Sequence, residues 1–399
     1  MLKMTNDDNK RIVLIYCGDQ SGCSHVRLRY YTDLFNGISQ GLTCVISPVY
    51  IFDPNVLAQT KAIIWQKPAN PQQLSILQRY KSLQQKFGYK LVYEIDDLFF
   101  DSPFGDKTSV PDYNPSSLNR TPQQEKELEE TLKLIFPLFD TVMTSTDYLK
   151  KVIMKKYQMS NVVTVKNTVP RFLWSVDKKP SIKEDIVKPT VLYSGSPTHY
   201  TNPVPARPKT PQEPNGFAGI PAKAGDWDNA WKDWIIKNVK EDKINLVMMG
   251  AIPYFFNDIT NKIKFIPWTN SYNYPRRCWS ERADFQIAPL VNNEFNKCKS
   301  ALRFYESTIC GMVLLGNVFK ENTDSPYEEI HENCKIQDTA TVEDIDKTFW
   351  ELCKKENYNK VLEWQYKNMN VSGMILESDE SVNSFLKICD NAPLNLENI

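Results

Sequence analysis

Residues 284–319 read DFQIAPLVNNEFNKCKSALRFYESTICGMVLLGNVF, and the fold turns on how they are read. The short apolar run 285–290 predicts a buried strand, and the polar stretch 291–296 predicts a turn. Lys297, Lys299, Ser300, Arg303 and Glu306 fall on or near the start of a predicted helix. Gly311 ends that helix, and 312–315 predicts the next strand. Strand, charged loop, helix, glycine and strand make a βαβ unit whose ligand side is the helix N-terminus. Cations followed by one carboxylate at that spot suit a nucleoside diphosphate: the cations for its phosphates, the carboxylate for the ribose hydroxyls. An ordinary charged helix face is the competing reading.

Around this unit the chain has 399 residues, enough for two domains with separate cores. Its 48 basic and 48 acidic residues cancel, which argues against a generally basic nucleic-acid coat and leaves room for a local basic groove. The 19 Tyr, 19 Phe and 9 Trp exclude a disordered chain. The nine cysteines include no CxxC pair, and with three histidines a zinc site is not expected. Unpaired, mostly buried thiols in a reducing cytoplasm are expected instead. The polar start MLKMTNDDNKR has no apolar signal region, and no apolar run reaches the length of a membrane span.

The first half opens on RIVLIYC, 11–17, a predicted strand feeding GDQSGCSHVRLRYYTDLF, 18–35. Gly18 and Gly22 allow a tight turn, and Ser24 suits the cap of a helix through Val26, Tyr30, Leu34 and Phe35. This is a Rossmann-like beginning without the full GxGxxG fingerprint. His25, Arg27 and Arg29 sit in the first turns, within reach of a ligand; for the arginines a solvated face competes. Further strands are predicted at 42–49, 62–65, 90–94, 141–144 and 161–167, with helices at 71–87 and 123–139, the latter kinked near Pro137. Glu94, Asp96 and Asp97 in YEIDDLFF cluster at the C-terminal end of a strand, where α/β sites form. Those carboxylates could hold a divalent metal, orient acceptor hydroxyls, or cap the next loop. The metal reading is the least favoured, because no further ligand stands nearby. The long polar loop 102–120 is expected to be functional.

The second half repeats the plan. Residues 173–189, rich in Lys, Asp and Pro, predict a linker between a first domain, 1–172, and a second, 190–370. The strand at 190–193 runs into Gly195, Ser196 and His199. The block 202–225 holds five prolines between Pro203 and Pro214 and predicts an inserted arm or lid. A helix with Trp227, Trp231 and Trp234 follows, then a strand at 245–249 ending in Gly250, and another at 262–265. Residues 342–362 predict one helix, and 371–399 a final helix and tail. The expected architecture is α/β: two Rossmann-like domains facing a cleft.

Two such halves resemble the GT-B glycosyltransferases, and several segments resemble glycosyltransferase family 4. VVTVKNTVP, 162–170, is similar to that family's strand ending before the hinge. TVLYSGSP, 190–197, and NLVMMG, 245–250, are similar to the first two glycine-ended strands of its nucleotide domain. ADFQIAP, 283–289, with KSALRFYESTICGMVLLG, 299–316, resembles its signature region. KSALRFYE, EIDD at 94–97 and SGSPTH at 194–199 also resemble glycosyltransferases of tailed bacteriophages. The chain departs from the family where a glutamate is expected eight residues before Glu306, a position held by Cys298, and the Arg and Lys after the nucleotide domain's first strand are missing.

The resemblance implies sugar transfer from a nucleoside diphosphate sugar, most simply a UDP-sugar, with retention of configuration and no metal or other cofactor required. Gly195, Ser196, Gly250, Lys299, Ser300, Arg303 and Glu306 would bind the donor, with Lys299 and Arg303 taking over phosphate neutralisation. Gly18, Asp19, Arg27 and Arg29 would bind the acceptor, with Asp96, Asp97 and His25 as the catalytic candidates. The phage likeness makes 5-hydroxymethylcytosine in DNA an acceptor for glucose or arabinose, supported by Arg207, Lys209 and Lys223 in the arm and weakened by the zero net charge. A lipid, surface glycan or protein acceptor is the alternative, and an inactive nucleotide-sugar-binding module is a third reading. Oligomeric state is not legible.

Overall fold

Two six-stranded sheets, parallel throughout their registered pairs, carry the chain. The computed structural model describes residues 10–19, 22–38, 42–105, 109–114, 116–117, 120–174, 182–208, 219–320, 324–369 and 373–389. The first sheet comprises β1 (Ile12–Tyr16), β2 (Thr43–Ile46), β3 (Thr60–Gln66), β4 (Lys90–Ile95), β5 (Thr141–Thr144) and β6 (Val162–Thr164). Its order is β2-β1-β3-β4-β5-β6. The second comprises β7 (Thr190–Gly195), β8 (Asn245–Gly250), β9 (Ile263–Pro267), β10 (Phe285–Ala288), β11 (Val313–Val318) and β12 (Lys335–Gln337). Its order is β12-β11-β10-β7-β8-β9.

Helices cover both faces of a parallel sheet, so its strands are apolar without alternation. β10 is buried at every residue, and β1 and β4 at all but the first. Each sheet reverses its winding once: between β1 and β3 in the first, between β7 and β10 in the second. Ligand crevices open outside the C-terminal strand ends at such points.

Local signals set the helices. Pro71–Phe87 starts on a capping box of Asn70 with Gln73 and ends at left-handed Gly88, φ 67°. The expected kink near Pro137 is a change from α-helix, Pro122–Ile135, to a 3₁₀ turn, Phe136–Leu138. Three expectations need correcting. The helix from Ser24 is not continuous: a π-turn, His25–Arg29, widens it and directs both Arg27 and Leu28 inward. Ser24 caps nothing; its hydroxyl lies 2.9 Å from Gln66 Oε1 and donates to the Asp19 carbonyl. The single helix over 342–362 is two, Val342–Leu352 and Lys355–Met369. The second begins where Asp185, from the segment between the sheets, accepts from the Lys355 amide at 2.7 Å and satisfies an orphan donor.

The chain crosses between the cores twice. Trp174 is buried in the core of the second sheet, whereas the final helix, Asp379–Cys389, returns to the first. There Phe385 stacks on Tyr31 with centroids 4.5 Å apart. The crossings touch through a bridge between Val169 and Ile375. The inserted arm pairs Thr201 with Lys223 and Val204 with Ile220; its residues 209–218, including Lys209, lie outside those described, as does the tail 390–399. Six of the nine cysteines are buried and three half-buried. Among the described residues no helix is long and apolar enough to cross a membrane.

Candidate functional site

The crevice between β7 and β10 is built from glycines, one histidine and two cations. A Cβ at Gly195 would lie 2.4 Å from Tyr193 Oη, and one at Gly250, φ 102°, 2.5 Å from the Gly195 carbonyl. Only bare backbone lets these two strand ends approach. Ser196 then accepts from the Thr198 amide at 3.4 Å and starts a short turn, Pro197–His199, that turns His199 inward.

Lys299 and Ser300 lie just before the helix Leu302–Ile309, not in its first turn, and Arg303 and Glu306 lie on it. Arg303 Nη2 is 3.0 Å from His199 Nε2, and His199 Nδ1 is 2.7 Å from Asp226 Oδ2. A guanidinium offers only donors and a carboxylate only acceptors. The imidazole between them is therefore neutral, donating from Nδ1 and accepting at Nε2. Burial, then Lys299 and Arg303, push the His199 pKa down to about 3. Asp226 is fully buried, yet held at about 2: burial raises it, but Lys299 and the hydrogen bond from His199 outweigh that. Lys299 Nζ stands 3.8 Å from Asp226 Oδ2. Arg303 Nη1 is enclosed without a hydrogen-bond partner, and the guanidinium lies over the Tyr193 ring at 5.2 Å.

Glu306, on the next turn, accepts from the Tyr274 hydroxyl at 3.0 Å, and that oxygen also lies 2.9 Å from Ser194 Oγ. Burial raises its pKa to about 7, against the pull of Tyr274 and Arg303. Lys297 is already engaged by Glu294 at 2.9 Å.

The facing crevice, between β1 and β3, contains the first-domain candidates in a different condition. Gly18 donates its amide to Gln66 Oε1 at 3.0 Å, and Gly18 and Asp19 are exposed at the strand end. Arg27 is not a surface contact: it is fully buried, bonded to Glu94 at 2.7 Å, to Asn167 at 2.9 Å and to the Val165 carbonyl. Asn167 in turn donates to Ser300 Oγ across the cleft at 2.8 Å. Asp96 is buried against the Lys67 ammonium, which outweighs the cost of burial and holds its pKa down. Half-buried Asp97 is pushed up by burial and by Asp96, and drawn back by Lys67 and by Lys299 of the other domain. The ligand atoms of Cys23, Asp96 and Asp97 lie within 4.8 Å of one another, close enough for a metal, but Lys67 already supplies a cation to Asp96. His25 and Arg29 are half-buried, and the His25 ring meets Tyr272 of the second domain at 5.3 Å.

Residues 101–105 and 109–114 reach across the cleft. Tyr113 donates to Asp226 Oδ1 at 2.7 Å, beside Asn296 Nδ2 at 2.6 Å. Ser102 and Tyr148 donate to Glu294 at 3.0 and 2.8 Å. Lys223 of the arm is paired with Asp112 of the loop. A cavity of about 290 Å³ opens between the domains beside Lys299 and Ser300, lined also by Thr146, Lys166 and Asn167.

The crevices thus gather the expected donor residues on one wall and His25, Asp96 and Asp97 on the other. They also gather Asp226, Tyr113, Tyr274 and Lys67, which the sequence did not single out, and make His199 central. His199 was visible as one of three histidines directly after a glycine-ended strand. Asp226 had no such signal.

No protein-family profile and no curated protein sequence matches the chain. The structure is similar to that of a glycosyltransferase from Rickettsia africae ESF-5, with a TM-score of 0.54 and 11% identity over 96% of this chain and 98% of that one. The UDP-GlcNAc 2-epimerase of Neisseria meningitidis, bound to UDP-GlcNAc, gives a TM-score of 0.49 and 10% identity over 95% and 99% of the two chains, too low to carry an argument. At 11% identity the likeness to the first of these establishes the fold alone: two Rossmann-like domains in the GT-B arrangement.

Proposed function

We propose that this protein is a glycosyltransferase that moves a sugar from a nucleoside diphosphate sugar, UDP-linked in the simplest case, to a hydroxyl acceptor. The observation that carries the reading is the β7/β10 crevice, where Lys299 and Arg303, the latter with an unpartnered Nη1, gather about Asp226, with the buried carboxylate of Glu306 one turn further along the helix. The shared fold with a glycosyltransferase supports it. Lys299, Arg303 and Ser300 stabilise the diphosphate as its bond to the anomeric carbon breaks. Glu306 accepts from the ribose hydroxyls. The acceptor oxygen bonds to the anomeric carbon on the face the diphosphate leaves and passes its proton to the departing phosphate oxygen, while Asp97 orients the acceptor hydroxyl. A closed cleft keeps water from competing. Retention of configuration, independence from metals, kinship with family 4 and with phage enzymes, and action in a host cytoplasm belong to the same proposal.

The finer acceptor reading is hydroxymethylated cytosine in DNA. The test supplies UDP-, GDP-, ADP- and dTDP-sugars with hydroxymethylcytosine DNA, ordinary DNA, or lipid and glycan acceptors, and follows nucleoside diphosphate release. Release that requires an acceptor supports transfer; none with any donor defeats it. Absence of both transfer to DNA and salt-sensitive DNA binding removes the DNA acceptor alone.

A further inference from the structure

We infer that His199 and Asp226 act as a positioning pair in which the imidazole spaces Arg303 from the buried Asp226 carboxylate and leaves its positive charge and one N–H arm for the donor's diphosphate. This rests on the donor reading of the crevice. The geometry makes the case. A half-buried guanidinium near a buried carboxylate would ordinarily close into a bidentate ion pair and spend its charge there. Here the imidazole stands between them: Arg303 Nη2 to His199 Nε2 at 3.0 Å, His199 Nδ1 to Asp226 Oδ2 at 2.7 Å. Arg303 is thereby anchored by a neutral acceptor, and its Nη1 remains buried and unpartnered.

Asp226 is occupied on both oxygens. Oδ1 takes Tyr113 and Asn296; Oδ2 takes His199 and faces Lys299. It fixes the imidazole's tautomer, and the tautomer fixes the guanidinium. Without Asp226 the imidazole could turn an N–H toward Arg303, placing donor against donor. Tyr113 comes from the first domain, so the same carboxylate ties the cations' placement to docking of residues 109–114. The competing role is plain structural support for a buried cluster, which would affect every ligand and the fold alike.

Binding of UDP and of uridine to the wild-type chain, His199→Ala and His199→Gln separates the two, with urea denaturation as the fold control. His199→Ala frees the guanidinium to swing away from the diphosphate. It should weaken UDP by about tenfold or more, the worth of one charge-assisted hydrogen bond, and leave uridine within about twofold. His199→Gln, which keeps one acceptor and one donor, should restore UDP binding to within about threefold of wild type. Unchanged UDP affinity in His199→Ala, or equal weakening for UDP and uridine, overturns the pairing and leaves the donor reading standing. A wild-type chain that binds neither UDP nor pyrophosphate overturns the donor reading itself, and the pairing with it.

Discussion

The two sheets end in crevices built alike and charged oppositely. In the first, the cations Arg27 and Lys67 face three carboxylates, Glu94, Asp96 and Asp97, and the strongest contacts are internal ion pairs. In the second, Lys299 and Arg303 face Asp226, with a histidine set between the guanidinium and that carboxylate, and Glu306 is only partly ionised near neutrality. The first crevice closes its cations into internal ion pairs and has one carboxylate in excess, which on the proposed reading makes it the wall for hydroxyls rather than phosphate. The second keeps positive charge in reserve. Topology fixes where a site forms; the charge left unpaired fixes which ligand enters.

The largest effect should follow from breaking the first crevice. Arg27→Ala leaves Glu94 buried and unpaired and should cost about 3–5 kcal/mol of stability, read from the urea midpoint. A shift under about 1 kcal/mol would mean the pair is not a structural strut. In the second crevice, Arg303→Ala should spare the fold and lower turnover by about 10²–10³-fold, the drop expected for one preorganised donor to a developing anion. Steady-state kinetics with matched denaturation curves would show it, and a parallel fall in stability would contradict it.

Glu306 gives a pH signature. Its carboxyl rises from 4.5 to about 7 on folding, so the fold favours the protonated form. The stability tied to that preference is complete below pH 4.5 and is lost as pH rises through about 7. Donor affinity should run the other way, because ribose hydroxyls need the ionised carboxylate. UDP binding should therefore tighten between about pH 6 and 8, and Glu306→Gln should flatten that profile. A wild-type profile already flat would return Glu306 to a packing role. The smallest effect belongs to the loop between the crevices. Tyr113→Phe removes one hydroxyl from Asp226 and should weaken loop docking by about 1–2 kcal/mol, seen as faster amide exchange at 109–114. Unchanged exchange there would show that the hydroxyl does not hold the loop.

Much of this was legible in the sequence because it is local. Apolar runs marked the strands, and the helix 71–87 was readable from its spacing; Asn70 and Gly88, which cap it, show why its ends fall there. Lys299, Arg303 and Glu306 were readable because they fall close together in sequence where a strand-end loop enters a helix. What escaped was set by partners far along the chain. Arg27 reads as an acceptor contact or a solvated helix charge until Glu94, 67 positions away, buries it. The break before Lys355 depends on Asp185, 170 positions away. Asp226 meets His199 only after the inserted arm has doubled back through its two bridges. The final helix gave no sign that it would leave the second sheet and complete the first core.

The contrast between the crevices is tested most directly by one paired titration: UDP and uridine binding to wild type, Arg303→Ala and Asp97→Asn. UDP should bind wild type at least about tenfold more tightly than uridine, and Arg303→Ala should erase most of that difference. Asp97→Asn should leave it intact. A difference that survives Arg303→Ala, or that disappears in Asp97→Asn, would contradict the assignment of the diphosphate to the second crevice.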